Sequence, residues 1–370
     1  MHFVEPKDEE VDMIKQAGFG MIRMDMVWEA VEKKQSEYDF SGYRRLTDAL
    51  AQREIVPIYI LDYSHKLYEK SQSVRTPEGR QAFARFAAEA VKTFSGAKIV
   101  WEIWNEPNIK QFWEEQPSFG DYVLLAEEAA KAMRAADPEC TIIAPATSRI
   151  PLDFLEACFE RGLLKWIDAV SVHPYREKNP ESALDEYAAL RRMMERYPEG
   201  KTMPILSGEW GYSLYPYKNN NIDERRQAQY LVRQFLTNFL ADVRLSIWYD
   251  WHDDGTDPKE KEHNFGAVRN DYQPKEAYRA AKTFLQQFHG MKFIERMASE
   301  SAEDFLLIFG NDNNRMMAAW TMGASHTIPL KSPKTGMESV SMLGEKIQLL
   351  QEGEGVVIPL SESPVYIPLQ

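Results

Sequence analysis

Two glutamates are the residues best placed to do chemistry in this sequence. Glu106 sits in Trp104-Asn105-Glu106-Pro107, at the end of the apolar run 97–108. Glu209 ends a second apolar run, Thr-Met-Pro-Ile-Leu-Ser-Gly-Glu-Trp at 202–210, between Gly208 and Trp210. Two carboxyl groups facing one bond can cleave a glycoside: one protonates the leaving oxygen and the other attacks the anomeric carbon from the opposite face. The tryptophans beside each acid supply flat apolar walls on which sugar rings stack. Taken singly, either acid could be a strand-end carboxylate facing water. The matched contexts favour the paired reading.

That chemistry requires elements that bring the acids together. Ile99, Val100, Trp101, Ile103 and Trp104 suit a buried pleated strand, and Pro107 stops it because proline donates no hydrogen bond to a ladder. Asn105 and Glu106 therefore stand where a strand becomes a loop, and Glu209 occupies the same position on another strand. In parallel α/β folds, that end of the sheet carries the site.

The Trp104-Asn105-Glu106-Pro107 stretch resembles the Asn-Glu-Pro signature of the clan A retaining glycoside hydrolases. The resemblance extends from about residue 2 to about residue 290. Within the clan, Trp101-Glu102-Ile103-Trp104-Asn105-Glu106-Pro107-Asn108 followed by Phe112-Trp113 is most similar to family 39 and its bacterial exopolysaccharide-hydrolase relatives, with family 5 cellulase-like enzymes next. The resemblance implies an α/β fold, a (β/α)8 TIM barrel. Glu106 would be the acid/base at the end of strand four, and Glu209 the nucleophile at the end of strand seven. It assigns Arg23 to holding the nucleophile ionised; the alternative is an arginine paired with Glu102 for barrel packing alone. His173 and Tyr175, in His173-Pro174-Tyr175, would line the subsite and touch the glutamates, with the tyrosine hydroxyl on the nucleophile. Trp248, or else Trp251, would floor the subsite, and Asn105 would bind the sugar 2-hydroxyl.

In chain order, the apolar spacing predicts a helix at 7–18 and a strand at Met21–Met26, on which Arg23 and Asp25 share one face. Only a stub, Met1-His2-Phe3, precedes that helix where a barrel's first strand belongs, so either the strand is very short or residues are missing upstream. A helix at 42–53 and a strand at Ile55–Leu61 follow. Asp62-Tyr63 then opens a loop in which Tyr63 is a sugar contact or plain packing. Thr76-Pro77 caps a helix whose stripe of Phe83, Phe86, Ala87, Ala90, Val91 and Phe94 is core. The loop 109–117 offers Phe112 and Trp113 as a sugar platform, and Ser148 reaches weakly toward the cleft. Further helices are expected at 119–136, 152–161, 182–197, 223–241 and Lys275–His289, with strands at Thr141–Pro145, Ile167–His173 and Leu245–Trp251. The aromatic loop Tyr212–Tyr217, beginning beside Trp210, flanks the cleft. The acids and histidines of 252–266 match no standard metal motif, so a substrate loop is favoured there over a calcium site. After Gly290 short strand-like runs recur between turns. This gives a barrel over 1–290 and a small antiparallel β-sandwich over 291–370.

Composition bounds the partners. Lys+Arg 44 against Asp+Glu 57 gives 44 − 57 = −13, which argues against nucleic acid or an anionic membrane and is compatible with neutral glycans. No apolar stretch approaches the roughly 18 residues of a membrane span, and no signal peptide is visible. An extracellular or cell-envelope setting follows if upstream residues are missing, a cytoplasmic one otherwise. Cys140 and Cys158 read as small buried hydrophobes. The 9 Trp fit a carbohydrate cleft. The expectation is a retaining β-glycosidase that needs no metal or organic cofactor, acting on a β-linked glycan, endo-acting because its aromatics are spread over many loops. An exo-acting β-xylosidase or β-glucosidase is the enzymatic alternative, and a non-hydrolytic glycan-binding barrel the alternative from another class. The sugar, the linkage and the oligomeric state are not encoded in short motifs.

Overall fold

The computed structural model describes residues 5–114, 116–216, 222–331, 338–353 and 355–369. Seven parallel strands, hydrogen-bonded in chain order, form the main sheet: β1 (Met21–Val27), β2 (Val56–Asp62), β3 (Val100–Ile103), β4 (Thr141–Ser148), β5 (Ala169–His173), β6 (Ile205–Trp210) and β7 (Val243–Trp248). Helix α1 (Asp8–Ala17) precedes β1. Apart from a single turn at Trp28–Val31, the α-helices that follow are α2 (Ser41–Ala51), α3 (Pro77–Thr93), α4 (Phe119–Ala136), α5 (Leu152–Glu160), α6 (Leu184–Met194), α7 (Glu224–Leu240) and, after β7, α8 (Glu276–Gln287). Strands buried on both faces read as continuous apolar runs, as Val56–Leu61 does. Caps fix the helix starts: Thr76 accepts from the Gly79 N–H with Pro77 in the first turn, and Ser118 and Asp223 do the same for α4 and α7.

The curled sheet encloses a lumen arranged in layers. Met21, Ile58, Val100, Ile143, Ala169, Leu206, Leu245 and Ile247 make an apolar floor with one or two residues from each strand. One pleat higher, Arg23, Glu102 and Ser171 are buried polar groups. Outward-facing Tyr59, Leu61, Trp101 and Ile103 join Phe83, Phe86 and Ala90 of α3 in the main core. The expected first strand at Met1-His2-Phe3 lies outside the described residues. Among the described residues β1 and β7 adjoin without hydrogen bonds, and a slot lined by Ile14, Phe19, Met21 and Ile247 opens between them. Counted on the described strands, Glu106 follows the third and Glu209 lies in the sixth. The strand expected to run on to Trp251 ends at Trp248, where β7 stops pairing with β6.

The last part of the chain is antiparallel. One sheet has the order β8 (Lys292–Arg296), β9 (Asp304–Gly310), β10 (Arg315–Thr321), β16 (Val365–Leu369), β12 (Glu338–Ser341), β13 (Lys346–Gln348); the other has β11 (His326–Lys331), β15 (Gly355–Leu360), β14 (Leu350–Glu352). Leu306, Ile308, Met317 and Ile367 face Leu330, Val356, Ile358 and Leu360 between the sheets. The alternate residues Phe305, Leu307, Phe309, Trp320 and Tyr366 belong to the main core instead. The larger sheet is thus a middle layer, which explains why α7, an ordinary barrel helix by sequence, is buried almost all round. A buried polar knot fastens the layers. Glu181 takes two hydrogen bonds from Arg233 of α7, at 2.7 and 2.8 Å, and one from the Trp320 indole at 2.7 Å.

Candidate active site

The Glu106 side chain is aimed by an unusual backbone. Trp104 has φ +71° and Glu106 φ +47°, left-handed conformations that cost a non-glycine residue of order 1–3 kcal/mol. Neighbouring strands hold them there: the Trp104 N–H donates to the Leu61 carbonyl at 3.1 Å and the Glu106 N–H to the Ala146 carbonyl at 2.9 Å. Trp104 itself is fully buried and donates its indole N–H to the Phe112 carbonyl at 3.1 Å. Glu209 is turned to the lumen by an irregularity in β6, whose pairing with β7 shifts register between Ser207 and Trp210; a side chain at Gly208, which faces the lumen too, would strike Ser171, Glu102 and His173.

The two carboxyls meet around His173. Its Nδ1 is 2.9 Å from Glu106 Oε1 and 4.0 Å from Glu209 Oε2. One ligand atom from each of the three residues falls within 4.8 Å of the others. So close an approach of single atoms is compatible with the roughly 5–5.5 Å between the carboxyl groups of retaining glycosidases. Such a trio has the spacing a small cation accepts, yet both carboxyls already face protein donors. Arg23 donates from Nη1 to Glu209 Oε2 at 2.6 Å, from Nη2 to Asn105 Oδ1 at 2.8 Å and from Nε to Glu102. Tyr175 donates its hydroxyl to Glu209 Oε1 at 2.7 Å. The two readings of Arg23, one tied to Glu209 and one to Glu102, therefore hold together.

The environments of the acids differ. Burial pushes Glu106 from the usual 4.5 up to about 7, against the pull of Arg23, a hydrogen bond from Ser148 and the Lys261 charge. Burial lowers His173 to about 4, with Arg23 adding to it, so this histidine is neutral at physiological pH. Tyr175 is raised, first by burial and then by the Glu209 charge, and remains a donor. Asn105 uses both ends of its amide: Oδ1 accepts from Arg23, and Nδ2 donates to the Tyr63 hydroxyl at 3.1 Å. One Nδ2 proton is left for another acceptor.

The slot between β1 and β7 and the space over Asn105 and Glu209 form one cavity of about 210 Å³, walled near the acids by Asp25, Tyr63, Phe112, Trp248, Tyr249 and Trp251. Another, of about 320 Å³, adjoins on the Tyr175 side, lined by Arg149, Arg176, Tyr215, Lys261 and Phe265. The structure thus brings Glu106, Glu209, Arg23, Asn105, His173 and Tyr175 into one network, with Tyr63, Trp248 and Trp251 in the adjoining wall.

Two expected sugar contacts are not in the cleft. Trp113 is fully buried, edge-on to Trp104 at 5.2 Å and to Tyr122 at 6.2 Å, so it backs the signature rather than offering a platform. Phe112 lines the cavity in its place, stacked on Tyr63 at 5.6 Å and 8°. Trp210 is also fully buried, with Arg176 over its ring. Trp210 lies just past the register shift and turns to the helices, opposite to Glu209. Trp251 lines the cavity but is largely buried and packs edge-on against Tyr278 at 6.0 Å. In the acidic loop, Asp253 is turned to Lys275 at 2.6 Å and to the Gly266 N–H. Tyr217 lies outside the described residues. The residues that sequence reasoning left without a role are Asp25, Asp62 and Tyr249. The parity of Asp25 with Arg23 was the available signal for the first.

The geometry can be set beside known proteins. The family model Glycosyl hydrolases family 39 matches residues 24–327. A "Beta-xylosidase" of Caldicellulosiruptor saccharolyticus is 23% identical over 277 residues, covering 67% of this chain and 54% of that protein. A "Beta-xylosidase" of Geobacillus stearothermophilus is 34% identical over 107 residues, covering 28% of this chain and 20% of that protein. The chain thus spans about half or less of the length of these relatives. Among solved structures, a family 39 glycoside hydrolase from the gut symbiont Bacteroides cellulosilyticus superposes with TM-score 0.87 at 24% identity, covering 100% of this chain and 80% of that one. A family 39 β-xylosidase from Caulobacter crescentus gives 0.72 at 17%, covering 100% and 94%. These superpositions carry the fold, and the family model reaches from β1 through the barrel into the C-terminal sheets. The chain belongs to glycosyl hydrolase family 39.

Proposed function

We propose that this chain is a retaining β-glycosidase working by double displacement. Glu209 attacks the anomeric carbon and forms a glycosyl ester as the C–O bond to the leaving group breaks. Glu106 gives its proton to the departing oxygen, then takes one from the water that hydrolyses the ester. The observation that carries this reading is the pair itself: two carboxyls, an oxygen of each within 4.8 Å of the other, in unlike surroundings. One is buried enough to hold a proton near neutrality, and the other receives hydrogen bonds from Arg23 and Tyr175. Neutral His173 hydrogen-bonds Glu106 at 2.9 Å and stands 4.0 Å from Glu209 without adding charge. Asn105, with its free amide proton, binds the 2-hydroxyl, and Trp248 floors the subsite. The catalytic unit is the barrel over 1–290, and the sandwich over 291–370 serves as its brace.

For the substrate we propose a terminal β-xyloside, cleaved in exo fashion. The endo expectation rested on aromatics spread along a cleft, and burial of Trp113 and Trp210 removes two of them. The matched relatives are named β-xylosidases. The test is sugar release from aryl β-xyloside, aryl β-glucoside, xylan, β-glucan, mannan and bacterial exopolysaccharide, with Glu209→Gln alongside. Xylose released by wild type alone supports the proposal. Oligomers would return the endo reading. Binding without turnover on every substrate would leave a glycan-binding barrel.

A further inference from the structure

A buried acid beside the cavity has no role in the scheme above. Asp62, the last residue of β2, is fully buried, and neither of its oxygens has a hydrogen-bond partner of standard geometry among the described residues. The nearby cation, Arg23, is already committed through all three of its nitrogens to Glu102, Glu209 and Asn105. The next strand, β1, carries another acid, Asp25, on the same face; burial first, and then the charge and hydrogen bonding of Asp25, push the Asp62 carboxyl well above its usual range. Two carboxylates cannot both stay charged in such a place, so one must hold the proton. Asp62 is the one shut away from solvent. Asp25 is half-buried and lines the cavity together with Tyr63, Asn105, Glu209 and Trp248. Its backbone carbonyl is further pinned by the Tyr43 hydroxyl at 2.9 Å.

The strand order gives this pair its place. Asn105 follows β3, Asp62 ends β2 and Asp25 lies in β1, so the wall runs from Asn105 to Asp25 in steps of one strand. A pyranose ring with its anomeric carbon at Glu209 and its 2-hydroxyl at Asn105 presents its next hydroxyls along that wall. A carboxyl oxygen that takes a hydrogen bond from a neighbouring acid keeps a further lone pair, and its partner oxygen keeps two, for other donors; sugar hydroxyls are such donors. We propose that Asp25, positioned by Asp62, is a specificity-determining residue that accepts a hydrogen bond from the 3- or 4-hydroxyl of the sugar in the cavity. The inference rests on the glycosidase reading above.

The experiment is a cycle between residue and hydroxyl. Wild type and Asp25→Ala are compared on the aryl β-glycoside that wild type hydrolyses fastest and on its 3-deoxy and 4-deoxy analogues. In wild type, one deoxy analogue is expected to lose at least about 100-fold in kcat/KM. In Asp25→Ala the same deletion should cost under about 5-fold, because its acceptor is already gone. Asp62→Leu should shrink the penalty in the same way. Asp62→Asn, which keeps a donor toward Asp25, should restore it; a purely structural Asp62 would not show this hydroxyl-selective rescue. Should the alanine variant fail to fold, Asp25→Asn keeps the shape and is expected to give an intermediate penalty. The same cycle is run as binding of methyl β-glycosides to Glu209→Gln by calorimetry. Coupling there without turnover in wild type would refute the glycosidase reading and keep the Asp25 contact. Equal deoxy penalties with and without Asp25, in rate and in binding, would overturn the inference.

Discussion

Replacing Glu106 by glutamine should make the protein more stable, and only at high pH. Burial pushes the Glu106 carboxyl from 4.5 to about 7, so the folded chain holds this proton more tightly than the unfolded chain does. The sign follows from linkage. The stabilising effect of the bound proton is fully present below about pH 4.5 and is lost as pH rises through about 7, where the buried group must ionise. The difference of about 2.5 units, at 1.36 kcal/mol each, is about 3 kcal/mol. Glutamine stays neutral throughout and escapes that loss. Any fixed cost of the substitution, such as a poorer hydrogen bond to His173, is the same at both pH values and cancels from the comparison. The gap in stability between Glu106→Gln and wild type should therefore widen by about 3 kcal/mol between pH 4 and pH 8.5. In thermal melts of a chain this size that is roughly 5 °C in Tm. The same titration should set the alkaline limb of kcat/KM near pH 7 in wild type. Melting curves that run parallel across this range would refute the argument that burial holds the acid protonated.

Three further outcomes follow from the site and its supports. Arg23→Met leaves Glu102 buried with no cation and removes a donor from Glu209; unfolding experiments should show a loss of about 3–5 kcal/mol, and kinetics a fall in kcat rather than a rise in KM alone. Trp113→Ala should cost about 3–5 kcal/mol in denaturant titrations, whereas Phe112→Ala should leave stability nearly unchanged and raise KM for aryl glycosides. Glu181→Ala strips both Arg233 and Trp320 of their buried acceptor and should lower the Tm of barrel and sandwich together in one transition, which calorimetry would register.

Much of this molecule was legible from local pattern, for physical reasons. The runs around Ile58, Trp101 and Leu206 are apolar because both faces of a parallel strand are buried, and the cap at Thr76-Pro77 is a local matter that needs no knowledge of the fold. Glu106 and Glu209 could be found because each stands at a strand end, where chain direction alone brings them to one rim. The aromatic contacts were misjudged because proximity along the chain was taken for orientation. Trp210 turns outward just past a register shift in β6, opposite to Glu209. The burial of Trp113 depends on how the 109–117 loop folds back on Trp104 and Tyr122, and no spacing encodes that. The joint hold of Arg23 on Glu102, Glu209 and Asn105 likewise depends on register across β1, β3 and β6. The all-round burial of α7 could be understood only once the C-terminal sheet lay on it.

The central claim is that Glu209 makes the bond to sugar, and it can be weighed directly. Wild-type protein would be incubated with an activated 2-deoxy-2-fluoro β-xyloside, whose fluorine slows hydrolysis of the glycosyl ester more than its formation, and then measured by intact and peptide mass spectrometry. The account predicts one fluoroxylosyl adduct per chain, carried on the peptide containing Glu209 and missing from Glu209→Gln. An adduct on Glu106 or elsewhere, or turnover of an aryl β-xyloside with inversion at the anomeric carbon, would contradict it.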